Sequence, residues 1–168
     1  MDWLKLLERS MSMDEAVWQR HSNPWSVYSR FTALPLLSLA FWSREYWGSL
    51  AIVPVAVSIF WIWLNPRIFR APASTHNWAS MCTFGERIYL NRKHENIPQH
   101  HLRACRVLQA LSVLGVPLWI YGIYSLHVWA LVTSALWIMV TKAWFTDRMV
   151  WLYLDMKDTN PIYQSWLK

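Results

Sequence analysis

The sequence is divided by four strongly apolar runs, separated by segments rich in charged and polar residues. The runs cover residues 25–42, 48–64, 107–126 and 127–145. Each is close to the roughly 20 residues that a helix needs to cross the hydrocarbon core of a bilayer. Each is also apolar all round, whereas a helix of a soluble bundle keeps a polar face. The pattern therefore predicts an all-α, polytopic integral membrane protein with four transmembrane helices.

Very short turns connect the runs in pairs, so we expect the four helices to form two hairpins. The segment between the hairpins carries apolar residues at helical spacing from Trp78 to Tyr89, which predicts an amphipathic helix in the membrane interface. The predicted parts are N-terminal amphipathic interfacial helices at 1–24, the first transmembrane hairpin at 25–64, a cytoplasmic polar segment with an interfacial helix at 65–106, the second transmembrane hairpin at 107–150, and a C-terminal cytoplasmic tail at 151–168.

The basic residues predict the orientation of these helices. Of the 16 lysines and arginines, only Arg44 falls in an outer turn, while the others lie in the two ends of the chain, in the middle segment or, for Arg30 and Lys142, near the inner ends of the first and fourth runs. Because positive charge is retained on the cytoplasmic side, we expect both termini and the middle segment to be cytoplasmic. The net charge of +6 then favours the bilayer and its anionic phospholipids as partners. No nucleic-acid-binding module is evident in the sequence, so we expect no nucleic-acid partner.

Composition agrees with a membrane location. Apolar residues make up 55% of the chain, and 14 of the 168 residues are tryptophan, which is more apolar surface than one small soluble core would bury. Tryptophan and tyrosine rings prefer the head-group level of a bilayer. We therefore interpret the abundance of tryptophan as interfacial anchoring rather than as an aromatic cage for a cofactor.

Four short motifs between the two hairpins carry a family resemblance. They are NPRIF at 65–69, NWAS at 77–80, GERIYLNRK at 85–93 and IPQHH at 97–101. Over about residues 20 to 155, the chain resembles an uncharacterised family of small prokaryotic four-helix integral membrane proteins. The resemblance implies a membrane fold and a multi-pass location in the prokaryotic inner (cytoplasmic) membrane, and it implies no activity.

A histidine-rich stretch just before the third run is the main candidate for chemistry. Imidazole and carboxylate groups suit zinc or iron, and the possible ligands are His94, His100, His101, Glu86 and Glu95. The tightest spacing is an adjacent pair, however, and adjacent residues on a helix point about 100° apart. The HExxH pattern of zinc enzymes is absent from the sequence. We therefore predict interfacial histidines, no metal and no cofactor, and Glu86, His100 and His101 remain the candidate catalytic residues of an alternative enzyme.

Two further sets of residues have predicted roles. We expect lipid head groups to bind the basic residues Arg87, Arg92, Lys93, Arg103 and Arg106. We expect close helix packing, within the bundle or between subunits, at the small residues Gly115, Gly122, Ala130 and Ser134.

The leading hypothesis for function is a non-catalytic membrane module with a basic cytoplasmic face. It would act as an accessory subunit of a membrane complex, a scaffold or a lipid-binding homo-oligomer. One alternative is a membrane-embedded enzyme with a His/Glu site in residues 86–101. Another is a small oligomeric channel or carrier, whose pore would need several copies because four short helices enclose little space.

Overall fold

The computed structural model describes residues 14–168, which are helical with no β-strand among them. The described α-helices are α1 (Glu15–His21), α2 (Pro24–Ser29), α3 (Ala33–Trp42), α4 (Arg44–Trp47), α5 (Ile52–Ile68), α6 (Trp78–Leu90), α7 (Gln99–Ser125), α8 (Val128–Met156) and α9 (Pro161–Gln164). Single 3₁₀ turns lie at Arg30–Thr32, Gly48–Ala51 and Lys157–Thr159. The all-α class predicted from the sequence is confirmed.

Three segments are long and apolar enough to cross a membrane: Pro24–Ile68, Gln99–Ser125 and Val128–Thr159. Only 11%, 17% and 17% of their most apolar windows are buried inside the protein, so most of this apolar surface faces outward. The first segment is interrupted by 3₁₀ turns, and its two longer helices, α3 and α5, pack on each other.

Helices α7 and α8 form the most extensive helix pair in the described part of the chain. Leu126 ends α7 in the left-handed region with φ of 54°, and the His127 Nδ1 caps α8 by accepting the Ala130 N–H at 3.2 Å. The turn between them is therefore very short. Arg44 joins this end to the neighbouring pair by donating to the carbonyl oxygens of Ile123 and Tyr124.

The main hydrophobic core lies at the opposite end of α7 and α8, where α6 crosses the last turns of α8. A Cβ at Gly85 would lie 1.8 Å from the Met149 carbonyl oxygen, so only glycine allows the two backbones to approach this closely. The core consists of Cys82, Phe84, Ile88, Tyr89, Ile97, Cys105, Met149, Val150, Leu152, Tyr153, Met156 and Tyr163. The apolar stripe of α6, which was expected to lie in the interface, is thus covered by α8.

The two ends of the described chain join this core. Helix α1 begins after Asp14, whose Oδ1 accepts the Val17 N–H at 2.7 Å, and it buries Val17 and Trp18. The other predicted N-terminal helical residues, 1–13, lie outside the described residues. Helix α8 extends past residue 150, and the residues after it fold back onto the core through Tyr163 and Trp166. The predicted C-terminal tail is therefore packed structure.

Candidate functional site

His100 and His101, in the first turn of α7, meet Asp155 in the last turn of α8. The His101 Nε2 lies 2.8 Å from the Asp155 Oδ2, and the His100 Nε2 lies 3.8 Å from the same oxygen. The two ring centroids are 4.2 Å apart. Although neighbouring residues diverge around a helix, both rings point to one carboxylate because Asp155 lies between them.

The members of this cluster differ in exposure. The His101 side chain is 1% exposed, whereas His100 and Asp155 are 61% and 50% exposed. The His101 Nδ1 is buried and has no hydrogen-bond partner among the described residues. Two imidazole nitrogens and one carboxylate oxygen within 4.8 Å of one another are a donor set that could hold a zinc-sized cation after small side-chain rotations.

The other residues of the predicted metal set lie elsewhere. Glu86 lies 3.5 Å from Arg30. Glu95 hydrogen-bonds the Tyr163 hydroxyl. Burial, and to a smaller extent this hydrogen bond, raises the pKa of Tyr163. His94 is exposed beyond the end of α6. The structure thus brings His100 and His101 together and adds Asp155, which the sequence analysis did not identify.

A second polar cluster links the N-terminal helices to α5. The Ser26 hydroxyl donates to the Asn65 Oδ1 at 3.2 Å, and the Asn65 Nδ2 donates to the Ser29 hydroxyl at 2.6 Å. Asn65 is 1% exposed and Ser26 is fully buried. We call this group the inner polar network, and its members are His21, Ser26, Ser29, Arg30, Asn65 and Glu86.

His21 joins this network to Arg30. The Arg30 guanidinium contacts the His21 Nε2, and because arginine only donates, this nitrogen accepts. The His21 Nδ1 then carries the proton and faces the Ser26 hydroxyl at 3.5 Å. Burial, followed by the charges of Arg30 and Lys142, holds the pKa of His21 well below its ordinary value. His21 is therefore neutral at pH 7.

Of the predicted lipid-binding residues, the one inside α6 and the one just after it have protein partners. Arg87 pairs with both carboxylate oxygens of Glu15 and lies 4.7 Å from the centre of a Trp166 ring. This pairing lowers the pKa of Glu15. Arg92 donates to the Tyr89 carbonyl oxygen at 3.1 Å and lies over the Tyr89 ring.

The remaining members of that set are more open. Lys93, Arg103 and Arg106 are exposed, and the Arg106 Nε donates to the Leu102 carbonyl oxygen at 3.3 Å in its own helix. These three are therefore the exposed members of the predicted lipid-binding set.

The small residues predicted to pack lie between α7 and α8. A Cβ at Gly122 would be 2.6 Å from the Leu131 nitrogen, and one at Gly115 would be 2.8 Å from side-chain atoms of α8. Ala130 and Ser134 are buried, and Ser134 is 1% exposed. In the structure these residues therefore line a contact within the chain.

The two cysteines offer little nucleophilic chemistry. Cys82 and Cys105 are both free and buried. Burial, with a smaller contribution from Glu86, raises the pKa of Cys82 to about 12. Because the thiolate is the reactive form, the thiol at Cys82 is inert at neutral pH.

The cluster at Asp155 and the inner polar network escaped sequence reasoning for the same reason. Their partners are 54 residues apart for His101 and Asp155 and 39 residues apart for Ser26 and Asn65. A sequence signal did exist at Asp155, because an acid two turns beyond Arg148 near the end of a long apolar helix is unusual.

Comparison with known proteins identifies the family. No curated protein and no solved structure matches the sequence of this chain. Residues 5–166 match a family described as "Family of unknown function (DUF6653)". This match covers nearly the whole chain, including α1 to α9 and both polar clusters. The chain therefore belongs to the family of unknown function DUF6653.

Proposed function

We propose that this chain is a four-span integral membrane protein of a prokaryotic inner membrane that acts as a non-catalytic, lipid-binding module. The spans are α2 together with α3, then α5, α7 and α8, arranged as two hairpins. Both termini and the core built around α6 lie on the cytoplasmic side. In this role the protein is a scaffold or an accessory subunit, and it holds anionic phospholipid at its basic face.

One observation carries this proposal: large apolar side chains are exposed along the whole length of the four spans. Examples from α3, α5, α7 and α8 are Leu39, Phe60, Leu114 and Leu136, which are 56–68% exposed. Exposed apolar surface of this extent marks contact with lipid or protein. The opposite arrangement holds near α6, where apolar residues form a closed core.

The orientation is tested by labelling single cysteines from outside the cell. In a background lacking Cys82 and Cys105, Ser125→Cys is at the outer end and Ser74→Cys is near α6, and both serines are exposed. We expect an impermeant maleimide to label Ser125→Cys in intact cells and to label Ser74→Cys only after lysis. Labelling of Ser74→Cys alone in intact cells would show the inverse orientation.

Lipid binding is tested by the lipid that co-purifies with the protein. We expect phosphatidylglycerol to be enriched over phosphatidylethanolamine, and we expect the double variant Arg103→Gln/Arg106→Gln to reduce this enrichment, since each basic residue near an anionic surface contributes about 1 kcal/mol. Arg87→Gln is the matched control because Glu15 already neutralises that charge. Equal retention of both lipids, unchanged in the double variant, would reject lipid binding by this face.

A second candidate function is a membrane-embedded enzyme with a metal centre, and the convergence of His100, His101 and Asp155 favours it. Elemental analysis of protein purified without chelator or a metal-affinity tag separates the two candidates. The enzyme predicts stoichiometric zinc or iron that is lost in His100→Ala and Asp155→Asn and retained in His94→Ala. The non-catalytic module predicts no bound metal in the parent protein.

A further inference from the structure

Lys142, in the middle of α8, forms no direct ion pair with an acidic side chain of the described residues. Among residues 14–168, no carboxylate lies within 4 Å of its ammonium group. The Nζ lies 5.8 Å from the centre of the Phe31 ring. At about 1.5 Å per residue, Lys142 is roughly 21 Å along the helix from Val128. In the proposed orientation it therefore lies within a hydrocarbon core about 30 Å thick.

Arg30 lies beside Lys142 on the first hairpin and has incomplete hydrogen bonding. Its Nε is buried and has no partner among the described residues. Its one acidic partner in that part of the chain is Glu86, at 3.5 Å, and its other contact, His21, is neutral. Two cations thus share one carboxylate. The group keeps one net positive charge, which is costly in apolar surroundings without a counter-ion.

Both cations line a cleft of about 280 Å³ whose remaining walls are mainly apolar. The cleft is bounded by the first hairpin on one side and by α8 on the other. Besides the two cations and Phe31, its lining residues are Ala33, Leu34, Leu37, Ile62, Ile138 and Met139. One end of the cleft therefore suits an anion, and the rest suits a hydrocarbon chain.

We propose that this cleft binds one anionic phospholipid, with the phosphate between Lys142 and Arg30 and an acyl chain along Leu34, Leu37 and Ile138. The phosphate supplies the missing negative charge and accepts hydrogen bonds from both side chains. Lys142 is itself exposed, but unlike Arg103 and Arg106 it lies beside the apolar walls of the cleft. The inference rests on the proposed membrane location, and it is independent of the surface residues Arg103 and Arg106.

Native mass spectrometry of the delipidated protein, titrated with phosphatidylglycerol or phosphatidylcholine, tests the site. We expect one tightly held phosphatidylglycerol, bound about fivefold more weakly in Lys142→Gln, which corresponds to the loss of about 1 kcal/mol. Lys142→Arg keeps the charge and should retain the lipid. Arg103→Gln/Arg106→Gln should lose only weaker, additional lipids. Within residues 14–168 no hydrogen bond joins the Lys142 ammonium to the fold, so the variants should keep the parent melting temperature.

A second variant tests the apolar half of the cleft. The substitution Leu37→Trp narrows the cleft without changing its charge. We expect this variant to bind phosphatidylglycerol more weakly although Lys142 is still present. The proposal is overturned if Lys142→Gln binds the lipid as the parent does, if phosphatidylcholine binds equally well, or if inorganic phosphate displaces the lipid at equal concentration. If phosphatidylglycerol binding falls only in Arg103→Gln/Arg106→Gln, the lipid binds at those surface residues and the cleft is rejected as its site.

Discussion

At the scale of single residues, the inner polar network is the arrangement most sensitive to its surroundings. Arg30 fixes the tautomer of His21 by donating to its Nε2, and the His21 Nδ1 then faces the hydroxyl of Ser26. A second proton on His21 would place a cation against the Arg30 guanidinium and remove the acceptor that Arg30 uses. The protonation state of one imidazole therefore controls how the N-terminal helices attach to α5 and α6.

This arrangement predicts a pH dependence of stability. The pKa of His21 is lowered in the folded protein, so the unfolded chain binds a proton more readily, starting near its ordinary pKa of about 6.5. The contribution of neutral His21 to the free energy of unfolding is therefore complete above that pH. It is lost as the pH falls toward the pKa of His21 in the folded protein, by up to about 1.4 kcal/mol per pH unit. We expect the melting temperature in detergent to fall between pH 7 and pH 5.

The matched variants are His21→Asn and His76→Asn. Asparagine at position 21 can accept from Arg30 and donate to Ser26 without titrating, so its melting temperature should change less with pH than that of the parent. His76 is exposed, and replacing it should leave the parent profile intact. If the His21→Asn profile matches that of the parent, protonation of His21 does not determine acid stability.

At the scale of secondary-structure elements, close contact between backbones explains the position of α6. Gly85 contacts the backbone of Met149, whereas Gly115 contacts side chains of α8. A side chain can rotate away from an added methyl group, and a helix backbone cannot do so without moving the whole element. The two glycines are therefore unequal, although both lie inside helices.

We predict that Gly85→Ala destabilises the protein much more than Gly115→Ala. Overpacking costs about 1–3 kcal/mol, while alanine gains up to about 1 kcal/mol of helix propensity over glycine. At Gly85 the clash should dominate and lower stability by about 2 kcal/mol or more. At Gly115 the two effects should nearly cancel. Thermal unfolding of both variants in the same detergent measures the difference, and equal losses would contradict the backbone contact.

The elements themselves were largely predictable, and their partners were not. The apolar runs locate α3, α5, α7 and α8 because long stretches that are apolar on every side are typical of helices able to cross a membrane. The apolar residues of α6 also follow a clear helical spacing. That spacing predicts which face of the helix is buried, but it does not predict which element covers that face. Asp155 was missed because it follows the apolar run and meets His101 only when α7 and α8 lie side by side. Such contacts depend on tertiary packing, which local spacing does not encode.

At the scale of the whole molecule, two kinds of packing divide the chain. The long apolar helices expose most of their apolar side chains, while the end containing α6 encloses aromatic and aliphatic residues as a soluble domain does. The last residues complete this core, since the Trp166 ring lies 5.0 Å from that of Tyr163 and 5.5 Å from that of Phe84, measured between centroids. Thr75 and Lys168 hydrogen-bond to each other and hold this segment in place.

This division predicts different roles for the tryptophans. Trp166→Ala should remove several aromatic contacts and lower stability by about 3 kcal/mol, the lower end of the range for truncating a packed aromatic residue. Trp144 is 62% exposed, so Trp144→Ala should lower stability much less. Thermal unfolding in detergent would compare the two. A larger loss for Trp144→Ala would mean that the C-terminal segment does not complete the core.

The pairing of α6 with the end of α8 has a consequence for biosynthesis. During translation, α6 leaves the ribosome long before Met149 and Trp166, so its apolar stripe has no partner while the second hairpin is being made. In the proposed membrane location, the surface of the bilayer is then the nearest place for that stripe to be shielded from water. Assembly of the core then becomes the final step, after α8 has been made, and a chain interrupted before α8 would display the stripe to proteases and chaperones.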